Sequence, residues 1–152
     1  MIKDVIVRPL KKMIDERGWL AELYRQDDLG EIPTPVMSYI SLTLPGVARG
    51  PHEHVSQTDY FCFIGPSNFK IVLWDNRKNS QTSGKKMIIY AGEDNPTLVV
   101  VPPGVVHGYK NIGIKEGMVV NYPDKLYKGP GKKQDVDEIR HESEANSIFK
   151  MD

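Results

Sequence analysis

The chain has a single cysteine, Cys62, among 152 residues, and no excess of either charge, with 20 Lys and Arg against 20 Asp and Glu. One cysteine excludes an internal disulfide. Flanked by Phe61 and Phe63, it reads as a small core residue and not as a nucleophile. The balanced charge offers no basic face for nucleic acid and no charged tail. No stretch approaches the about 18 apolar residues of a membrane span, and the opening MIKDVIVRPLKK lacks the apolar centre of a secretory signal. Internal repeats and low-complexity segments are absent too. The 13 glycines and 11 prolines are scattered, so they punctuate a compact fold and mark no linker. The expectation is one domain over residues 1–152, cytoplasmic, with no nucleic-acid and no membrane partner.

What is present is a series of short strands. Runs rich in β-branched and aromatic residues fall at 2–8, 19–25, 36–44, 59–64, 69–74, 87–90, 97–101, 105–109 and 117–122. Turn residues separate them. Gly65-Pro66-Ser67-Asn68 predicts a hairpin joining 59–64 to 69–74. One helix is predicted, Val136–Asn146, with Asp135 as its cap and Glu138 completing a capping box. This spacing predicts an all-β fold, a double-sheet jelly-roll barrel with one short C-terminal helix, and its lumen as the site.

The chemistry concentrates in GVARGPHEHVSQTDYFCFIG, residues 46–65. In an extended strand alternate side chains share a face, so His52 and His54 point one way and Glu53 the other. His107 lies in VVVPPGVVHGYKN, residues 99–111, and a barrel could bring all three together. A lone strand histidine is more often a core or surface residue; two on one face with a third in reach shift the balance to a site. His52, His54, Asp59 and His107 would supply three nitrogens and a carboxylate to a divalent transition metal, Ni, Fe, Mn or Zn.

Gly46, His52-x-His54, Asp59 and the run Pro102 to Asn111 resemble the two signature motifs of the cupin superfamily, which binds metal through two His, a Glu and a third His. Asp59 stands where those motifs have Glu. Four further pieces, in order, resemble dTDP-4-dehydrorhamnose 3,5-epimerase and its relatives. They are Asp15 to Glu22, Arg49-Gly50-Pro51-His52, Asp75 to Gly84 and Pro102 to Tyr109. That family is a cupin jelly roll, usually dimeric, and usually works without metal. The resemblance implies a nucleotide-sugar ligand, a homodimer and no cofactor. It implies an isomerase acting on a dTDP-4-keto-6-deoxy sugar by abstraction of a proton next to the ketone. By it Arg17 and Arg49 hold the diphosphate, Glu22 meets the base, His52 is the catalytic base, and His54 and His107 assist. Gln57, Asp59, Tyr109 and Tyr122 complete the expected substrate contacts.

The family's Lys position holds Asp59, and its Tyr position aligns near Val120 or Asn121. Met37 and Tyr39 replace two amide residues. The pair in Gly50-Pro51-His52-Glu53-His54 also resembles sugar-nucleotide 3,4-ketoisomerases of the same class. Two alternatives therefore stand beside the epimerase: a metal-dependent cupin enzyme, and a sugar-nucleotide binding module without turnover. Among the rest, Arg77 reads as structural, and Trp19 and Trp74 as core or dimer contacts. Tyr122, Tyr127 and Lys128 fall in a region that could form a pocket lid. His141 and the acids Asp135, Asp137, Glu138, Glu142 and Glu144 read as the solvated face of the helix.

Overall fold

The computed structural model describes residues 1–151. In chain order the strands are β1 (Ile6–Pro9), β2 (Met13–Asp15), β3 (Gly18–Leu20), β4 (Tyr39–Thr43), β5 (Ala48–Glu53) and β6 (Asp59–Phe63). They continue as β7 (Asn68–Asp75), β8 (Lys86–Gly92), β9 (Thr97–Val101), β10 (Val105–Asn111), β11 (Gly117–Asn121) and β12 (Ile139–Arg140). One five-stranded sheet has the order β1-β9-β6-β11-β4, and a second has β12-β5-β10-β7-β8. The small pair β2-β3 stands apart. Two antiparallel sheets enclosing a lumen are the expected jelly roll.

The apolar runs of β6 and β9 are buried on both faces, which is why they do not alternate with polar residues. On β6 and β9, Phe61, Phe63, Val99 and Val101 turn into the lumen with Phe69, Leu73 and Tyr109 of the opposite sheet. Tyr60, Cys62, Leu98 and Val100 turn outward, where Leu23, Leu29 and Ile32 of the N-terminal arm cover them. The outer face of the second sheet is covered by the C-terminus, with Phe149 and Met151 on Val72, Trp74 and Val106. Cys62 is fully buried, and burial pushes its thiol up to about 12.

Two local expectations are corrected. Gly65-Pro66-Ser67-Asn68 does not join a hairpin: β6 pairs with β9 and β11, while β7 pairs with β10 and β8. The turn passes the chain from one sheet to the other. The predicted helix Val136–Asn146 is also absent; the segment forms β12 at the edge of the second sheet and a single 3-10 turn, His141–Ser143. Tertiary partners outweigh its helix propensity. Asp137 spends its carboxylate on the backbone N–H groups of Val55, Ser56 and Gln57. His141 is buried, not solvated, with Nε2 at 2.9 Å from Glu53 Oε1. Arg77 is structural as expected, bonding Asp75, Asp4 and the Lys3 carbonyl.

Candidate active site

The site begins with a register irregularity. On the β5–β10 pair, His52 opposes His107 and Arg49 opposes Tyr109, so Gly50-Pro51 faces the single residue Gly108. That extra residue is a β-bulge, a device that re-aims side chains. Gly50 is required there: its φ is 76°, and a Cβ would meet the His107 carbonyl oxygen at 2.7 Å. The bulge sets the His52 and His107 rings together, with centroids 4.4 Å apart. The His54 ring follows at 5.4 Å from His52, on the same face as the alternation requires.

Asp59, at the start of β6 on the opposite sheet, is buried at the centre of this cluster. Its Oδ2 lies 3.0 Å from His54 Nε2 and 3.3 Å from His107 Nε2. Its Oδ1 accepts from Gln57 Nε2 at 3.0 Å and from Asn121 Nδ2 at 2.7 Å. His107 Nδ1 donates to the Val105 carbonyl at 3.0 Å. His54 Nδ1 donates to the Asp137 carbonyl. His52 Nδ1 is 3.8 Å from Glu138 Oε1.

These surroundings set three different charge states. Burial, then the neighbouring His107 and His54, push His52 down to about 2, so it is a neutral proton acceptor. Burial opposes charge on His54 as well, but the adjacent Asp59 carboxylate outweighs it and lifts His54 to about 9. Burial would raise Asp59; His107 and His54 together hold it well below the usual carboxylate range.

A cleft of about 460 Å³ opens on His52 and His54. Tyr39, Gln57 and Glu138 line it, and Lys125, Tyr127, Lys128 and Lys132 form its rim. A second opening, lined by Arg49, Tyr109 and Arg140, also reaches His52, Tyr39 and Glu138. Of the sequence candidates, His52, His54, Gln57, Asp59 and His107 come together. Arg49 stands at the second opening, its Nε on Thr43 Oγ1 at 3.0 Å and its Nη2 on the Leu42 carbonyl at 2.6 Å. Tyr109 is largely core, with its hydroxyl 2.8 Å from Ser41 Oγ. Tyr127 and Lys128 line the cleft. Within one chain, Arg17, Glu22 and Tyr122 stand outside it. Arg17 pairs with Asp15 on the β2–β3 hairpin, Glu22 pairs with Arg25, and Tyr122 stacks on Tyr24 over the outer face of the first sheet.

Sequence reasoning missed Glu138 and Asn121 as site residues. Glu138 arrives by the return of the C-terminal segment to the edge of β5, which no local pattern announces. Asn121 shows in the sequence only as a residue near the position where the family has Tyr.

The fold's usual metal can be tested against these atoms. His52, His54, Asp59 and His107 each offer one ligand atom, all within 4.8 Å of one another. Asp59 Oδ2 and His107 Nε2 are buried with no hydrogen-bond partner. Three nitrogens and a carboxylate oxygen at such spacing fit a divalent transition metal.

A model of the dTDP-4-dehydrorhamnose 3,5-epimerase family matches residues 1–138. The chain belongs to this family. Agl13 of Haloferax volcanii, a probable low-salt glycan biosynthesis epimerase, is 40% identical over 129 residues, 83% of this chain and 81% of that protein. The spore coat polysaccharide biosynthesis protein SpsL of Bacillus subtilis is 40% identical over 113 residues, 74% of each chain. A crystallised dTDP sugar isomerase from Desulfovibrio desulfuricans superposes with a TM-score of 0.84 over 98% of this chain and 91% of that one. At 24% identity that likeness speaks for the cupin jelly roll alone. Family membership makes this chain an enzyme of the nucleotide-sugar epimerase and isomerase class. No helix among the described residues is long and apolar enough to cross a membrane.

Proposed function

We propose that the chain epimerises a dTDP-linked 4-keto-6-deoxy sugar, with His52 removing a proton next to the ketone and Tyr39 returning one from the other side. The observation that carries this reading is the placement of those two side chains. His52 is on β5 of the second sheet and Tyr39 on β4 of the first, and both line the same cleft. A sugar between the sheets meets a base on one face and an acid on the other, which is the requirement for inversion.

A C–H next to a ketone is too weak an acid to ionise unaided, so a positioned base is needed. His52 is neutral and has Glu138 beside its Nδ1, where a carboxylate steadies the imidazolium that forms. The phenol of Tyr39 accepts the Asn121 amide at 2.9 Å, so its own O–H is free to donate. Burial and the Asp59 charge raise the Tyr39 pKa, keeping that proton in place. Gln57 and His54 line the same cleft beside His52 and would meet the sugar there. In the metal-dependent alternative, His52, His54, Asp59 and His107 would hold a divalent ion, which would supply Lewis acidity.

The diphosphate falls to Arg49, whose guanidinium has N–H groups beyond those it spends on Thr43 and Leu42. We infer a homodimer from the β2–β3 hairpin. It exposes Met13, Ile14, Trp19 and Leu20 together, and carries Arg17 away from its own chain's cleft. Docked on a second copy, this hairpin would bury the Ile14–Trp19 pair on one face or the Met13–Leu20 pair on the other, and offer Arg17 and Glu22 to that copy's ligand.

The test is proton NMR of dTDP-4-keto-6-deoxyglucose in deuterated buffer. Fading of the C3 or C5 proton signal, with an inverted product, supports the reading. A new 3-keto product would instead assign the His52–His54 pair to ketoisomerisation. No exchange at all would overturn both.

A further inference from the structure

We propose that Glu53 and His141, a buried pair on the outer face of β5, are positioning residues that hold Glu138 against His52. This inference rests on the reading of Glu138 as the partner of His52, and its test separates the two. It starts from how little fixes Glu138 directly. The carboxylate is 3.8 Å from His52 Nδ1, beyond hydrogen-bond distance. Its other charged neighbour is Arg140 Nη2 at 3.3 Å, on a side chain that is 59% exposed. Neither contact explains why Glu138 stays in one place at the cleft.

The segment that carries Glu138 has little grip of its own. β12 is two residues long, lies at the edge of the second sheet, and both of its residues are exposed. So short a strand adds little by its ladder alone. Two side chains anchor the segment instead. Before Glu138, Asp137 accepts from the N–H groups of Val55, Ser56 and Gln57. After it, His141 turns to the outer face of β5 and places Nε2 at 2.9 Å from Glu53 Oε1. Both side chains of that pair are buried. A carboxylate only accepts, so His141 Nε2 carries a proton and donates it. His141 Nδ1 is buried with no hydrogen-bond partner, and the nearest carboxylate oxygen, Glu144 Oε2, is 3.6 Å away. The bond to Glu53 and the Phe149 ring, 4.7 Å from the imidazole, therefore orient His141.

Glu53 stands between His52 and His54 in the chain and points away from both, as strand alternation requires. Its Oε1 also accepts from Asn76 Nδ2 at 2.8 Å. A buried carboxylate is destabilising unless it is paired, and an apolar residue could cover the same surface. What the pair adds is register. It sets Ile139 opposite Glu53 and Arg140 opposite His52, the alignment that brings Glu138 to the base. A slip of one residue would carry Glu138 to the outer face.

Ring ¹⁵N NMR of the four histidines in the full chain reads this arrangement without turnover. Glu138→Gln and His141→Ala should move the His52 ring signals in the same direction. Glu53→Gln, whose amide oxygen accepts the same bond, should keep the wild-type signals. In turnover, both Glu138→Gln and His141→Ala should lower kcat about 10–100-fold with KM within about twofold. The double variant Glu138→Gln/His141→Ala should be no slower than Glu138→Gln, because the two changes remove one arrangement. Circular dichroism and dTDP binding establish that each variant is folded. If His141→Ala is not, Glu53→Ala/His141→Ala, which leaves no unpaired carboxylate, carries the test. A wild-type chain that exchanges no proton removes the epimerase reading, and the His52 signals still decide the positioning role. His52 signals unmoved by His141→Ala or by Glu138→Gln overturn the proposal, as does an additive loss in the double variant.

Discussion

Asn121 and Tyr39 face each other on the paired strands β11 and β4, and the Asn121 amide donates to the Tyr39 phenol at 2.9 Å. The same amide donates to Asp59 at 2.7 Å. At Val120 or Asn121, where the resemblance places the family's Tyr, this chain thus has an amide bonded to a different phenol, which lines the cleft. Tyr39→Phe separates the two halves of the reaction. Deuterium should still enter the substrate at the carbon next to the ketone, because His52 is intact. Formation of the inverted product should fall by about 10²–10⁴, the range for a lost general acid. Equal loss of exchange and inversion would remove Tyr39 from the acid's role.

His52→Asn should abolish exchange itself, by a similar factor of about 10²–10⁴. Affinity for dTDP should stay within about twofold, since the nucleotide is held elsewhere; calorimetric titration reads this directly. Glu138 acts through His52, 3.8 Å away, as a positioning residue. Glu138→Gln should therefore lower kcat with little change in KM, by a smaller factor than His52→Asn. A Glu138→Gln enzyme with unchanged kcat would show that the carboxylate only closes the cleft.

The jelly roll was legible because strands buried on both faces read as apolar runs with turns between. Tyr60-Phe61-Cys62-Phe63 and Leu98-Val99-Val100-Val101 are the clearest, and every one of these eight residues is buried. The three histidines were legible because strand alternation and one bulge are local rules. The C-terminal segment was not. Asp135 to Glu138 carries the signature of a capped helix start. That signal is worth only about 1 kcal/mol and yields to partners far along the chain. Asp137 finds the backbone of residues 55–57, and His141 finds Glu53. Glu138 reaches the site only through those contacts. In the sequence Tyr39 is only a departure from the family's pattern, since its meaning depends on Asn121 lying opposite, a fact of register and not of sequence distance.

The 75–84 loop provides a stability test away from the site. Asp75 is buried and accepts from Arg77 Nε at 2.8 Å, Ser80 Oγ at 2.6 Å and Thr82 Oγ1 at 2.6 Å. Burial raises its pKa, but these donors prevail and hold it below the usual carboxylate range. A folded pKa below the unfolded value of about 3.9 means that the stabilisation is complete above about pH 5 and is lost as pH falls through the folded value. Asp75→Asn should cost about 3 kcal/mol at pH 7, as for breaking a buried pair. That corresponds to a Tm lower by about 6–12 °C for a chain of this size. Below about pH 4 the difference between wild type and variant should shrink, because the Asp75 carboxyl takes up a proton in the unfolded chain while it stays ionised in the folded one, which favours unfolding of the wild type. A constant difference from pH 7 to pH 3 would assign the loss to packing and not to charge.

The β2–β3 hairpin would be the centre of the dimer contact. Trp19 is 54% exposed and Ile14 79% exposed, adjacent across the pair. Each would be an unusual residue to leave in water beside the other. Light scattering on the wild-type chain should give twice the 17.2 kDa chain mass. Trp19→Glu should shift the distribution toward monomer, since it places a charge in the apolar contact. Arg17→Ala should leave the mass unchanged and weaken dTDP binding by about 1.5–3 kcal/mol, the size of a charge-assisted hydrogen bond. The combination is informative. A monomeric Trp19→Glu chain with Arg17 intact should show the same loss of dTDP affinity, because its Arg17 no longer reaches a second cleft. A monomer that binds dTDP as tightly as the wild type would place the diphosphate on Arg49 and the lysines of the cleft's rim alone.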